Sequence, residues 1–459
     1  MKSNLPSFVI DIIQKFQKAN LEIYIVGGAV RDLLTKREVK DWDLTTNATP
    51  EKILELFPHA FYDNKFGTVG IPLTQEPKNP IAKQPIIEVT TFRSEEAYSD
   101  RRHPDKVIWG KTLAEDLTRR DFTINSIALS PITHNSEPIT IIDPFHGQKD
   151  LKNKIIRAVG NPQERFSEDS LRMMRAVRIA AELGFTIEEK TFQAIKNNVP
   201  LIHKISAERI RDELFKLLAS SFPYEGVVML RTTGLMAEIL PEVEKGFGVP
   251  QKSPGRHHVV DVGTHLLYSL RYCPSKDSLV RLAALLHDVG KPQTFRKDSK
   301  TELITFYNHE VVGGHIVKTI ADRLKLSNKD KDKLFLLVRW HLFTVDERQT
   351  DSAIKRFIRN VGPENLLDIL AVRTGDRLGG GATETSWRLD LFKKRLIEVQ
   401  KQPFSIKDLK INGNDVMREL KIPSGPQVGK ILNQLFAEVD SGALKNTKEE
   451  LMKSVKELI

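Results

Sequence analysis

Hydrophobic and polar positions divide the chain into a short strand-and-helix part and a long helical one. Met1 to Asn20 carries apolar residues at helical spacing interrupted by polar ones, which predicts an amphipathic helix and not a signal peptide. Leu21, Ile23, Ile25 and Val26 form a short apolar strand, Gly27-Gly28 closes it, and a helix begins at Ala29. Lys40-Asp41-Trp42-Asp43 opens another strand, and Pro50 to Phe57 reads as a helix. FYDNKFGTVGIPL and PIIEVTTFR read as strands joined by the polar loop QEPKNPIAKQ, and Arg93 to Trp109 reads as a charged loop. From there the pattern is helical: ERFSEDSLRMMRAVRIAAELGF, then ISAERIRDELFKLL with Ser206 as N-cap, then apolar helices beyond the linker GVPQKSPGRHH. In the tail, Pro426 opens an amphipathic helix after Gly425. The fold class expected is an α/β N-terminal domain followed by all-α domains.

A length of 459 residues exceeds one ordinary core and suggests about three domains. The pattern changes place boundaries at 1–150, 151–248, 249–400 and 401–459. Lys and Arg number 70 against 60 Asp and Glu, a net charge of +10 that favours a polyanionic partner such as nucleic acid or nucleotide. A Lys-rich protein without such a partner has the same balance. The single cysteine, Cys273, excludes an internal disulfide framework and fits a reducing compartment. No run of eighteen apolar residues occurs, so a cytoplasmic protein without a membrane partner is expected. Nothing in the sequence bears on oligomeric state.

The first candidate chemistry lies between Leu21 and Thr46. Gly27-Gly28 let a backbone approach a ligand, with Gly28 beside the start of the helix at Ala29, whose first amides are a phosphate seat, and Arg31 can reinforce them on a triphosphate. Asp41 and Asp43, two apart on a strand, face the same way and are placed to hold two magnesium ions for phosphoryl or nucleotidyl transfer. Gly-Gly after a strand and Asp-x-Asp in a solvated turn are each common, and only their conjunction is informative. Glu88, inside IIEVTTF, is a candidate third acid; an edge-strand glutamate facing water is the alternative. Further on, Asp169, Arg172, Arg175 and Arg178 recur every three residues along one helical face, with Leu171, Met174, Val177 and Ala181 on its apolar neighbour. One acid with three arginines suits base and phosphate recognition better than a solvated face of mixed Lys and Glu.

GGAVRD followed by DWDLTT resembles the nucleotidyltransferase core of the tRNA nucleotidyltransferase and bacterial poly(A) polymerase family. The later motifs keep the family order: RRDFTIN with Ser126 where alanine is usual, Asp143-Pro144 with Gly147, and the EDxxR pattern ending at Arg172. The resemblance implies a small mixed sheet with helices in the first domain, Glu88 as third carboxylate, Arg120 on the triphosphate and Arg175 and Arg178 as nucleotide contacts. It also implies that the Arg93–Trp109 segment marks enzymes that add the terminal adenosine. Cytosine and adenine both present an amino donor beside a ring-nitrogen acceptor, so a fixed carboxylate and guanidinium accept them and reject uracil and guanine. Asp169 and Arg172 occupy the family positions for that pair.

Beyond Pro250, His265, His287-Asp288 in LLHDVGKP, His309, His341 and Asp376 resemble the HD phosphohydrolase superfamily, whose imidazoles and carboxylates bind one or two divalent metals and activate water. His315 falls outside that pattern. The start of the helix at Pro426, with Lys430, is a candidate RNA-phosphate contact; a packed terminal helix is the simpler reading. Together these features predict addition of C, C and A to the tRNA 3′ end from CTP and ATP, with Mg2+ and a second divalent metal in the HD domain. An A-adding enzyme or poly(A) polymerase is the nearest alternative. A phosphohydrolase whose N-terminal domain only binds nucleotide is the alternative of another class.

Overall fold

The computed structural model describes residues 5–62, 67–73, 86–96, 106–109, 112–130, 140–251, 260–400 and 406–457. They form two compact units, Met1–Glu244 and Lys245–Ile459. The expected boundaries at 150 and 400 thus fall inside units, and the one at 248 falls four residues from the division. The expected loop QEPKNPIAKQ and most of the GVPQKSPGRHH linker lie outside the described residues.

The first unit opens with the amphipathic helix α1 (Ser7–Lys18), which buries Val9, Ile12, Ile13 and Phe16. Strand β1 (Ile23–Val26), helix α2 (Gly28–Leu34), β2 (Asp43–Thr46), α3 (Pro50–Leu56), β3 (Phe61–Tyr62), β4 (Thr68–Pro72) and β5 (Ile86–Thr91) follow. The segment expected to be a loop begins and ends as a two-stranded antiparallel ribbon, β6 (Arg93–Glu96) with β7 (Lys106–Trp109). After α4 (Leu113–Thr118) come β8 (Ala128–Leu129) and β9 (Ile141–Ile142). The main sheet is mixed, in the order β3-β4-β5-β2-β1-β8-β9. Its parallel pair is β2 with β5, and the register sets Asp43 directly beside Glu88. Because β5 lies between β4 and β2, Glu88 is not on an edge strand, although its side chain is exposed.

Helix α5 (Gly147–Asn153) starts where the Asp143 carboxylate accepts the Gly147 and Gln148 amides. A side chain at Gly147 would meet the Thr123 carbonyl at 2.2 Å, so this turn packs directly on the RRDFTIN segment. Strand β10 (Ile155–Ile156) pairs with β11 (Thr186–Ile187) around α6 (Pro162–Glu168) and α7 (Leu171–Leu183). The arginine-rich stretch is therefore two helices and not one. The break falls at Asp169, extended at φ −135° and ψ 102°, whose carboxylate accepts the Leu171 amide. Leu171, Met174, Val177 and Ala181 are buried, as the pattern requires. Helices α8 (Glu189–Asn198), α9 (Ala207–Ala219), α10 (Pro223–Thr233), α11 (Leu235–Ile239) and α12 (Pro241–Glu244) complete the unit, with α9 packed on α7. Ser206 holds the N-cap position of α9 without a side-chain cap bond.

The second unit is helical apart from one small ribbon, β12 (Arg296–Lys297) with β13 (Ile304–Thr305). Its helices are α13 (Val262–Tyr272), α14 (Ser278–Leu286), α15 (Lys291–Thr294), α16 (His309–Arg323), α17 (Asn328–Arg339), α18 (Asp351–Val361), α19 (Leu366–Gly379) and α20 (Trp387–Val399). The tail adds α21 (Gly413–Leu420), α22 (Pro426–Ser441) and α23 (Lys448–Lys456) around Val416, Leu435, Leu451 and Val455. Pro426 opens α22 after Gly425. No helix among the described residues is long and apolar enough to cross a membrane.

Candidate functional site

A cleft of about 990 Å³ in the first unit is lined by Gly28, Arg31, Asp41, Asp43, Glu88, Asn125, Arg175 and Arg178 among others. The turn after β1 builds one wall. Gly27 has φ +71°, and a Cβ there would lie 3.0 Å from Asp43 Oδ2 and 3.2 Å from an Arg120 nitrogen. Only glycine takes this conformation and this approach without strain. Arg31 is tethered at the wall, bonding Asp32 at 2.9 Å and Asn125 Oδ1 at 3.1 Å.

Asp41 precedes β2 and is exposed, so strand alternation is not what pairs it with Asp43. The two nevertheless share the cleft and interact. Burial pushes the Asp43 carboxyl above its ordinary range; Arg120 pulls the other way, and the Asp41 charge adds to the rise. A divalent cation relieves the crowding of negative charge in the cleft, so Asp41, Asp43 and the adjacent Glu88 fit a metal by their chemistry. Arg120 bonds Asp116, at 3.0 Å, and reaches Asp43 through its field without lining the described cleft wall.

Arg175 and Arg178 reach the cleft from α7, and both are paired. Arg175 bonds Asp121 at 2.6 Å, and Arg178 bonds Glu213 at 2.6 Å and Glu182 at 2.8 Å. Asp121 also accepts from Asn125, which holds Arg31, so a polar chain runs Arg31–Asn125–Asp121–Arg175 from the first motif to the arginine helix. Asp121, Asn125 and the buried Glu213 were not singled out in the sequence, although the first two lie within RRDFTIN. Asp169 and Arg172 stand outside the described wall. Asp169 pairs with Arg209 at 2.8 Å, while Arg172 is buried and bonds Glu168 at 2.6 Å and the carbonyls of Arg165 and Arg119. Arg172 and Arg178 each have a glutamate four residues away, Glu168 and Glu182, whereas Arg175 is paired with the distant Asp121 and Arg178 also with the distant Glu213.

In the second unit, His265, His309 and Asp376 on α13, α16 and α19 converge with His287 and Asp288 at the C-terminal end of α14 and His341 just after α17. Two sets of potential ligand atoms form, each spanning at most 4.8 Å: His265, His287, Asp288 and Asp376; and Asp288, His309 and His341. Asp288 belongs to both. Its Oδ2 lies 3.2 Å from His287 Nε2, and its Oδ1 lies 3.2 Å from His309 Nε2. Nδ1 of His287, His309 and His341 donates to the carbonyls of Ala284, Phe306 and Val338 at 2.7–2.9 Å. A neutral ring so fixed turns the Nε2 lone pair toward the cluster, the tautomer a metal requires. Burial pulls the His287 pKa down, but the charges of Asp288 and Asp376 outweigh it and push it up to about 10, so its Nε2 lone pair is free for a metal once the cation displaces that proton; His341 is held below its ordinary value by burial. His315 is exposed, outside the cluster.

Glycines permit this convergence. A Cβ at Gly290 would meet the His309 carbonyl at 2.2 Å, and one at Gly375 would meet the Ser269 carbonyl at 2.4 Å. The second contact lets α19, carrying Asp376, lie against α13, carrying His265.

Family models match most of the chain: "Poly A polymerase head domain" over residues 23–157, "Probable RNA and SrmB- binding site of polymerase A" over 184–247, and "tRNA nucleotidyltransferase domain 2" over 298–455. The CCA-adding enzyme of Limosilactobacillus reuteri (strain DSM 20016) is 32% identical over 454 residues, covering 97% of this chain and 95% of the relative. That of Geobacillus stearothermophilus is 32% identical, covering 96% and 94%. Among solved structures, the Bacillus stearothermophilus CCA-adding enzyme in complex with CTP is similar at a TM-score of 0.71 and 29% identity, over 99% of this chain and 98% of that one. The Thermotoga maritima CCA-adding enzyme complexed with tRNA shares the fold, at a TM-score of 0.63 and 22% identity. With such identity along almost the whole length, and with the carboxylate cleft where the first family model falls, the chain belongs to the CCA-adding tRNA nucleotidyltransferase family.

Proposed function

We propose that this protein adds C, C and A to the 3′ end of tRNA from CTP and ATP and releases pyrophosphate. The observation that carries the reading is the placement of Asp41, Asp43 and Glu88 on one cleft with Arg31, Arg175 and Arg178. Membership of a nucleotidyltransferase family implies a divalent metal. Asp41 and Asp43, with Glu88 beside them, would hold it; we take it to be Mg2+, supplying positive charge that acidifies the 3′-hydroxyl and stabilises the oxygens of the in-line displacement. Arg31 and Arg120 neutralise the triphosphate of the incoming nucleotide, and Arg175 and Arg178 fix its position on the α7 side. Base choice falls to Asp169 and Arg172, which exchange their present partners, Arg209 and Glu168, for the Watson–Crick edge of C or A. A tRNA substrate fits a cytoplasmic location.

The test is Asp43→Asn or Asp41→Asn. Each should abolish incorporation of CMP and AMP and leave tRNA affinity within about threefold, because affinity rests on distributed basic surface. Near-wild-type incorporation by either variant would remove the assignment.

A second reading is favoured by the locked imidazoles of the second unit. Four imidazoles with Nε2 turned inward and two carboxylates fit one or two divalent ions, and such a centre supplies an activated water for hydrolysis of phosphate esters. We therefore assign the second unit a metal-dependent phosphohydrolase centre of the HD type.

A further inference from the structure

A cavity of about 500 Å³ opens onto the histidine–aspartate cluster, and cations line it as well as metal ligands: Lys291, Arg373 and Arg377. Each carboxylate ligand carries one of them. Lys291 Nζ lies 2.5 Å from Asp288 Oδ2, and Arg373 lies 3.0 Å from Asp376 Oδ2. Lys291 is only 7% exposed and has a second partner, Gln251 Oε1, at 2.6 Å. Gln251 comes from the segment that reads as a linker, yet it is 2% exposed, with its amide nitrogen on the Val260 carbonyl.

A buried lysine must be paired and hydrogen-bonded, and Asp288 and Gln251 together hold this ammonium at the cavity wall. Asp288 Oδ2 is also the oxygen nearest His265 and His287, at 3.3 and 3.2 Å, so a cation among those imidazoles competes with Lys291 for it. Gln251 is then the partner that keeps the ammonium at the wall. An ammonium has three donors, and two partners leave one to face the cavity. Across from it, Arg373 Nε is buried with no hydrogen-bond partner among the described residues, although the same guanidinium pairs with Asp376. Two cations, each tethered to a metal-ligating carboxylate and each with donor capacity to spare, suit a tetrahedral phosphoryl oxyanion bound against the cluster.

We propose that Lys291 and Arg373 clamp the phosphoryl oxygens of the substrate in the second unit, and that Gln251 is a positioning residue holding Lys291 in the clamp. The proposal rests on the phosphohydrolase reading for its chemistry, but not for its first test. Inorganic phosphate is titrated into metal-free full-length protein, with 31P line broadening as readout, for wild type, Lys291→Met, Arg373→Leu and Gln251→Leu. Loss of one charge-assisted contact should weaken the site by about tenfold in Lys291→Met and Arg373→Leu, and severalfold in Gln251→Leu. Lys291→Arg should restore most of the affinity. In metal-loaded protein, Gln251→Leu should raise KM for p-nitrophenyl phosphate about tenfold, with kcat changed by less than about threefold and metal content equal to wild type. Phosphate binding indifferent to Lys291 in folded protein would overturn the clamp, whatever the hydrolysis. A Lys291-dependent phosphate site in protein that takes up no metal and hydrolyses nothing would keep the clamp and remove the phosphohydrolase reading.

Discussion

Asp121 shows how single residues prepare the nucleotide cleft. Burial alone would raise its carboxyl, but the Arg175 guanidinium and the hydrogen bonds from Arg175 and Asn125 hold it at about 2. An acid whose folded value lies below its unfolded value of about 3.9 stabilises the fold fully above the unfolded value, and that contribution, about 2 kcal/mol, is lost as pH falls through the folded one. A carboxyl-carbon NMR titration of Asp121 should therefore find a midpoint near 2; a midpoint near 4 would mean that the Arg175 pair is not kept in solution. Arg172 makes a second case. Uracil turns a carbonyl toward the Asp169 carboxylate and loses two charge-assisted bonds, so CTP should be preferred over UTP by at least about a hundredfold. Arg172→Ala should erode that ratio more than it slows CMP transfer, and single-turnover incorporation with an unchanged ratio would place base reading elsewhere. The carboxylates Asp41, Asp43 and Glu88 were legible in the sequence because short motifs carry them. Asp121, Asn125 and Glu213 were not, because their role lies in contacts between segments distant in the chain.

Between residues and units, the elements depend on close approaches that only glycine allows. Gly27 holds φ +71° beside Asp43 and Arg120. Gly27→Ala should destabilise the first unit by about 1 kcal/mol or more from the backbone alone and, by displacing Asp43, cut nucleotide incorporation at least tenfold. A variant as active and as stable as wild type would show that the turn relaxes freely. At the other centre, Gly375→Ala should drive α19 from α13 and separate His265 from Asp376, seen as weaker divalent-metal uptake by calorimetry with helicity retained. Equal uptake would disconnect that packing from the cluster. The existence of the helices and of the central strands followed from periodicity and turn residues. The break at Asp169 did not, since the apolar spacing of Phe166, Met173 and Val177 runs through it and the interruption depends on a carboxylate taking up the Leu171 amide. The strand ends of the Arg93–Trp109 segment were hidden for a different reason: each is only four residues long, and the charged stretch between them dominates the pattern.

At the scale of the molecule, two compact units carry two separate constellations of ligands. His287→Ala should abolish metal-dependent phosphatase activity while CMP and AMP addition stays within about twofold of wild type, because the described residues that line the first site all belong to the first unit. Loss of CMP addition in a folded His287→Ala protein would show the centres to be coupled. The division near residue 245 was foreshadowed by the Pro/Gly/basic segment, but sequence could not reveal that Gln251 in that segment is buried against Lys291. What the whole chain does is tested most directly with tRNA lacking its 3′ end, incubated with CTP alone, ATP alone and both, and resolved at single-nucleotide length. The account predicts two additions with CTP, none with ATP alone, and three with both, with no further extension. One or more adenosines added with ATP alone to the same tRNA, and none from CTP, would contradict it and make the protein an A-adding enzyme or a poly(A) polymerase.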